Sequence, residues 1–145
     1  MTAAAPGRRA SVDAVRLGEA LARLTRATRR DLALPIGASS VAALVTVERI
    51  GPLRLGDLAR HEGVTPATLS RIVAVLEEEG YAARTTDADD RRCSWLQITL
   101  AGRRLLESVR RDRAQLVAQR LERLTPDQRR ALVAALDAFD ALADD

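Results

Sequence analysis

The side chains able to do chemistry in this chain are few, and most of them are cationic. Its 145 residues include 23 basic side chains against 20 acidic ones. Every basic residue is an arginine, with one histidine, His61, and one cysteine, Cys93. That inventory excludes a disulfide framework, a zinc finger and any Cys/His metal cluster within one chain. His61-Glu62 lacks the second histidine of an HExxH site, and no glycine-rich phosphate loop occurs. The chain therefore reads as a non-enzyme without metal or cofactor. Cys93 adjoins Arg92 and Arg91, whose charge lowers a thiol pKa, so a redox-sensing thiol stands as one reading beside that of a small residue starting a strand.

What remains is a group of hydroxyls and one guanidinium on a single segment. Thr65-Pro66 is a helix start: a threonine oxygen accepts an orphan backbone N–H, and proline at the first helical position loses no bond. At about 100° per residue, Leu69, Ile72, Val73 and Leu76 form one apolar stripe. The opposite side carries Ala67, Ser70, Arg71 and Ala74, with Thr68 at its margin. The carboxylates Glu77, Glu78 and Glu79 come only in the last turn, before Gly80. Small residues allow close approach to a duplex, hydroxyls and an arginine can contact base edges and phosphates, and no acid stands near the entry. An ordinary surface helix with a short polar face would look similar in isolation.

The neighbouring elements favour the first reading. Upstream, Leu55 to His61 fits a short helix with Leu58 and Ala59 facing in, ending at Gly63. Downstream, Tyr81–Thr85 and Ser94–Thr99 read as strands, the second alternating Trp95, Gln97 and Thr99 against Leu96 and Ile98. Between them Asp87 to Arg92 forms a turn-rich charged tip. Helix, turn, helix and basic hairpin is the plan of a winged helix, in which a wing arginine can enter a minor groove.

The rest of the chain reads as helices. A 2% aromatic content leaves the core to aliphatic residues and alanine, which suits closely packed helices. Residues 1–10 read as a frayed tail. From Ser11, Val12, Val15, Leu17, Leu21 and Leu24 keep mostly to one side, until Leu34-Pro35-Ile36-Gly37 interrupts. Ser39 or Ser40 is placed to cap the next helix, which runs to Ile50. After the hairpin, Leu105, Leu106, Val109, Leu116, Val117, Leu121 and Leu124 recur at helical spacing. Thr125-Pro126 then opens a last helix carrying Leu132, Leu136, Phe139 and Leu142. So much apolar helix outside a small winged lobe suits self-association as a two-fold dimer, with internal three-helix packing as the alternative. Charge is uneven as well. Residues 1–30 hold seven arginines against Asp13 and Glu19, and residues 81–104 hold five against three aspartates, while the rest is net acidic. Such segregation fits a phosphate-facing surface. No apolar run approaches a membrane span and the first residues lack the apolar stretch of a signal peptide, so a cytoplasmic protein with no membrane partner is expected.

The segment GDLARHEGVTPATLSRIVAVLEEEGY, Gly56 to Tyr81, followed by RTTDADDRRCSWLQITLAGRRLL, Arg84 to Leu106, resembles the MarR family of transcriptional regulators. Asp87, Asp90 and Arg92 fall on that family's wing pattern, with Ile98-Thr99 and Gly102 after it. The resemblance implies a mainly α fold with a small β-hairpin wing: a winged helix-turn-helix lobe over 39–101, with dimerisation helices over 11–36 and 103–145 in one domain spanning 11–145. It implies a homodimer on pseudo-palindromic double-stranded DNA, usually as a repressor, released by a small anionic or phenolic ligand. By position, Thr65, Thr68, Ser70 and Arg71 are recognition-helix contacts and Arg92 is the minor-groove residue. Arg84 and Arg91 are weaker phosphate candidates, while Asp87 and Asp90 hold the wing arginines. Three departures stand out. Arg54 replaces a common Thr or Ser cap, which is either lost or exchanged for a phosphate contact. Ala82 and Ala83 should weaken the first wing strand. The N-terminal cysteine of the hydroperoxide-sensing branch is missing. A redox regulator using Cys93, or a winged-helix module that binds protein instead of DNA, are the alternatives; salt-dependent binding of random duplex separates the latter.

Overall fold

A computed structural model of the chain describes residues 11–86 and 94–143, which divide between two compact units, residues 1–33 and 34–145. Among the described residues the first unit holds one helix, α1 (Val12–Asp31). Ser11 caps it by accepting the Ala14 N–H at 3.1 Å. None of its residues is buried, and Val12, Val15, Leu17, Leu21 and Leu24 are all exposed.

The second unit holds α2 (Ala38–Ile50), β1 (Leu53–Arg54), α3 (Leu55–His61), α4 (Pro66–Glu78), β2 (Ala82–Thr86), β3 (Ser94–Ile98), α5 (Leu100–Leu121), α6 (Pro126–Ala134) and α7 (Leu136–Ala143). Neither Ser39 nor Ser40 caps α2. Gly37 does so through its carbonyl, which accepts the Ser40 and Val41 N–H groups, while Ser40 falls on the inward face and is buried. The three strands form an antiparallel sheet in the order β1-β3-β2. β2 spans Ala82–Thr86 despite its two alanines, because all five of its residues pair with β3. The sequence pattern did not suggest β1, a two-residue strand that pairs Leu53 with Leu96 and Arg54 with Trp95.

Aliphatic side chains fill the core as the composition requires. Leu44 and Val47 from α2, Leu58 from α3, Leu69, Val73 and Leu76 from α4, Leu96 from β3 and Leu106 from α5 are essentially inaccessible to solvent. This one cluster fixes α4 against α2 and α3 and seats the sheet beside them. Gly63 supplies the left-handed residue (φ +62°) in the turn between α3 and α4, a conformation costly for side chains with a Cβ. The C-terminal apolar pattern is not one helix but two. The chain breaks at Ala135 between α6 and α7, although Leu132 and Leu136 keep their spacing across the break. α6 opens with a full capping box, in which Thr125 accepts the Gln128 N–H and Gln128 accepts the Thr125 N–H. No residue of α6 or α7 is buried, and Leu132, Val133, Leu136 and Leu142 are exposed.

Candidate nucleic-acid interface

α4 is built as its sequence dictates. Thr65 Oγ1 accepts the Thr68 backbone N–H at 3.2 Å, and Pro66 occupies the first turn. Leu69, Ile72, Val73 and Leu76 are all buried, which leaves a single orientation for the helix. The face turned to solvent carries Ala67, Thr68, Ser70, Arg71, Ala74 and Val75. Its first turn contains no acidic residue.

The hydroxyls on this face are already oriented. Thr65 Oγ1 donates to Thr68 Oγ1 at 3.0 Å, so the Thr65 hydroxyl serves the helix end and orders its neighbour. Ser70 Oγ donates to the Pro66 carbonyl at 2.9 Å, which leaves its lone pairs as acceptors toward solvent. Arg71 is exposed, and among the described residues no carboxylate pairs with it. Its planar fork is therefore available for bidentate contact.

Acidic groups at the far end of α4 are partly neutralised. Glu77 accepts from Arg84 of β2 at 3.0 Å, tying the recognition helix to the wing strand. Arg84 thus serves an internal pair between β2 and α4. The wing root is fixed by a second set of contacts. Thr99 Oγ1 donates to the Gly80 carbonyl at 2.7 Å and accepts the Gly102 N–H at 3.1 Å, and the Thr99 N–H bonds the Tyr81 carbonyl at 3.0 Å. One threonine therefore caps α5 and holds the exit of α4. Farther along α5, Arg110 hydrogen-bonds Glu48 of α2, and that carboxylate holds the guanidinium above its ordinary pKa.

A winged helix-turn-helix whose second helix exposes small residues and carries no carboxylate in its first turn has counterparts among known proteins. The MarR family pattern matches residues 36–94. An HTH-type transcriptional regulator of Mycobacterium tuberculosis, MT0903.1, is 32% identical over 130 residues, covering 89% of this chain and 91% of that relative. The chain belongs to the MarR family. The solved structure of RV1404 from M. tuberculosis superposes with a TM-score of 0.72 at 26% identity, over 97% of this chain and 100% of that one. A MarR family protein from Bacillus stearothermophilus shares the fold with a TM-score of 0.70 at 22% identity, over 88% of this chain and 90% of that one. MarR members are helix-turn-helix transcriptional regulators that bind DNA, not enzymes.

Within this MarR lobe, Thr65, Thr68, Ser70 and Arg71 are brought together on the first two turns of α4, and Arg84 lies on β2 beside the end of the same helix. Asp87, Asp90, Arg91, Arg92 and Cys93 lie outside the described residues. His61 is exposed, lining a surface cleft of about 490 Å³ with Leu53, Asp57 and Arg60, and so does not pack inside. Among the described residues no group of His, Cys, Asp or Glu could hold a metal ion, and no described helix is long and apolar enough to cross a membrane. Sequence reasoning missed one pairing on the sheet, the Arg54 guanidinium over the Trp95 ring at 5.1 Å from its centroid. A two-residue strand gives no alternation from which that contact could be read.

Proposed function

We propose that this MarR regulator is a ligand-responsive repressor that binds a pseudo-palindromic operator as a homodimer in the cytoplasm. The observation that carries the reading is the solvent face of α4, with Thr68 and Ser70 ordered by hydrogen bonds, Arg71 exposed beside them, and no acid in the first turn. Major-groove edges distinguish all four base pairs, and these side-chain types match their donor and acceptor patterns. Thr65 stands where the helix start meets a phosphate. Arg84 and Arg91 supply further phosphate contacts, and Arg92 enters the minor groove from the wing, held by Asp87 and Asp90.

The lobe over 39–101 reads DNA, and the helices over 11–36 and 103–145 dimerise within the one domain spanning 11–145. Support comes from apolar side chains with nothing covering them. They are Val12, Val15, Leu17, Leu21 and Leu24 on α1 and, separately, Leu132, Val133, Leu136 and Leu142 on α6 and α7. Two-fold pairing of such faces is the commonest way to remove them from water. An operator held by both lobes excludes polymerase, and a small anionic or phenolic ligand that favours another lobe spacing releases it.

The test is affinity for the duplex upstream of the chain's own gene and for its single-base variants, measured by fluorescence anisotropy. Arg71→Ala should cost about 1–3 kcal/mol on the preferred site and relax discrimination at one base position per half-site. Equal loss on every sequence would make Arg71 a phosphate clamp and overturn its base-reading role.

A further inference from the structure

Arg54, Trp95 and Thr85 form one row across the sheet, Arg54 opposite Trp95 on β1 and β3 and Trp95 opposite Thr85 on β3 and β2. The adjacent residues Leu53 and Leu96 are buried, which places the Arg54–Trp95 row on the sheet's outer face, since side chains alternate along a strand. Only the Thr86–Ser94 pair separates this row from the connection that carries Arg91 and Arg92. The row therefore lies at the wing end of the sheet, on the flank of the helix-turn-helix.

The Arg54 guanidinium lies 5.1 Å from the Trp95 ring centroid, within the range of about 6 Å over which cation–π attraction operates. Three observations mark this arginine. It is exposed, and although it occupies the cap position of α3 its side chain makes no cap bond. Among the described residues no carboxylate pairs with it, and the closest acidic residue along the chain, Asp57, is taken by Arg60. Finally, no hydrogen bond to a described residue takes the N–H donors of this guanidinium, and a planar fork of donors suits a phosphate.

We propose that Arg54, held over Trp95, is a phosphate-binding residue of the DNA interface and that Trp95 is its platform. The proposal rests on the DNA-interface reading above and adds a contact from outside the recognition helix. Because Arg54 precedes α3 and stands apart from the base-facing side of α4, its ligand is the backbone at the flank of the site. It therefore contributes affinity without sequence preference. Ordering by the ring reduces the side-chain freedom lost on binding, so the contact is preorganised.

The experiment compares wild type, Arg54→Met and Arg54→Lys as full-length chains, with folding checked by circular dichroism. Affinity for a random-sequence duplex is measured over a salt series, and Trp95 emission is followed in the same titrations. Arg54→Met keeps an apolar stem over the ring and removes the charge. Its plot of log affinity against log salt should flatten by about 0.9 per protomer, the amount expected for one lost phosphate contact on B-DNA. Arg54→Lys should keep the wild-type slope. Trp95 is the only tryptophan in the chain, so its emission reports on the platform alone and should change when duplex is added to wild type. An unchanged slope in a folded Arg54→Met chain, or wild-type Trp95 emission that ignores saturating duplex, overturns the proposal. A wild-type chain that binds no duplex at low salt overturns the interface reading itself, and this contact with it.

Discussion

Replacing Gly102 with alanine tests how closely the start of α5 is built onto the exit of the recognition helix. A Cβ at this position would lie 2.1 Å from the Tyr81 carbonyl oxygen and 2.8 Å from Ile98 Cγ1. Restoring ordinary contact requires a displacement on the order of 1 Å, and the first obstacle is backbone and not a flexible tip. Overpacking of this kind costs about 1–3 kcal/mol. The same carbonyl accepts the Thr99 N–H at 3.0 Å, and weakening that bond adds about 0.5–1.5 kcal/mol. Alanine returns about 0.8–1 kcal/mol through its higher helix propensity. The net expectation is a destabilisation of about 2 kcal/mol, or a melting temperature roughly 4–8 °C lower for a chain of this size. Urea and thermal unfolding followed by Trp95 emission measure it, at one protein concentration because association shifts apparent stability. Glycine-to-alanine exchange inside a helix ordinarily stabilises, so even the sign is diagnostic. An unchanged or raised unfolding midpoint would refute the close-approach argument.

Two further substitutions probe the reading head. Thr65→Ala should cost about 1 kcal/mol of stability by removing the cap of α4, and Thr65→Ser should restore most of it in the same urea titration. Arg92→Ala should flatten the salt dependence of binding by about one phosphate's worth while leaving base preferences intact, as measured on an operator and its single-base variants.

The features legible in the sequence were those fixed by local chemistry or by helical periodicity. Thr65-Pro66 marks its helix start whatever surrounds it, and the stripe from Leu69 to Leu76 needs only the repeat of the helix to predict a buried face. Features that depend on distant partners were not legible. β1 exists because Leu53 and Arg54 find Leu96 and Trp95, and two residues carry no alternation to announce it. The cap of α2 went to Gly37 because the core claimed Ser40, a choice made by tertiary packing. The break at Ala135 leaves Leu132 and Leu136 in register, so the apolar pattern passes over it unchanged. On the exposed face of α4, residue types alone singled out Thr68, Ser70 and Arg71 as candidates. The pairing of Arg84 with Glu77 and the stack of Arg54 on Trp95 depend on how helix and sheet meet.

The central claim is that two copies of this chain read one operator through α4. Selection of bound duplexes from a fully random library, followed by sequencing, tests it most directly. We expect an enriched inverted repeat whose half-site centres lie about one helical turn, roughly 10 base pairs, or a multiple of that apart. Arg71→Ala should blur one position in each half while leaving the spacing unchanged. A library that returns unenriched, or that yields a single asymmetric site bound by one chain, would contradict it.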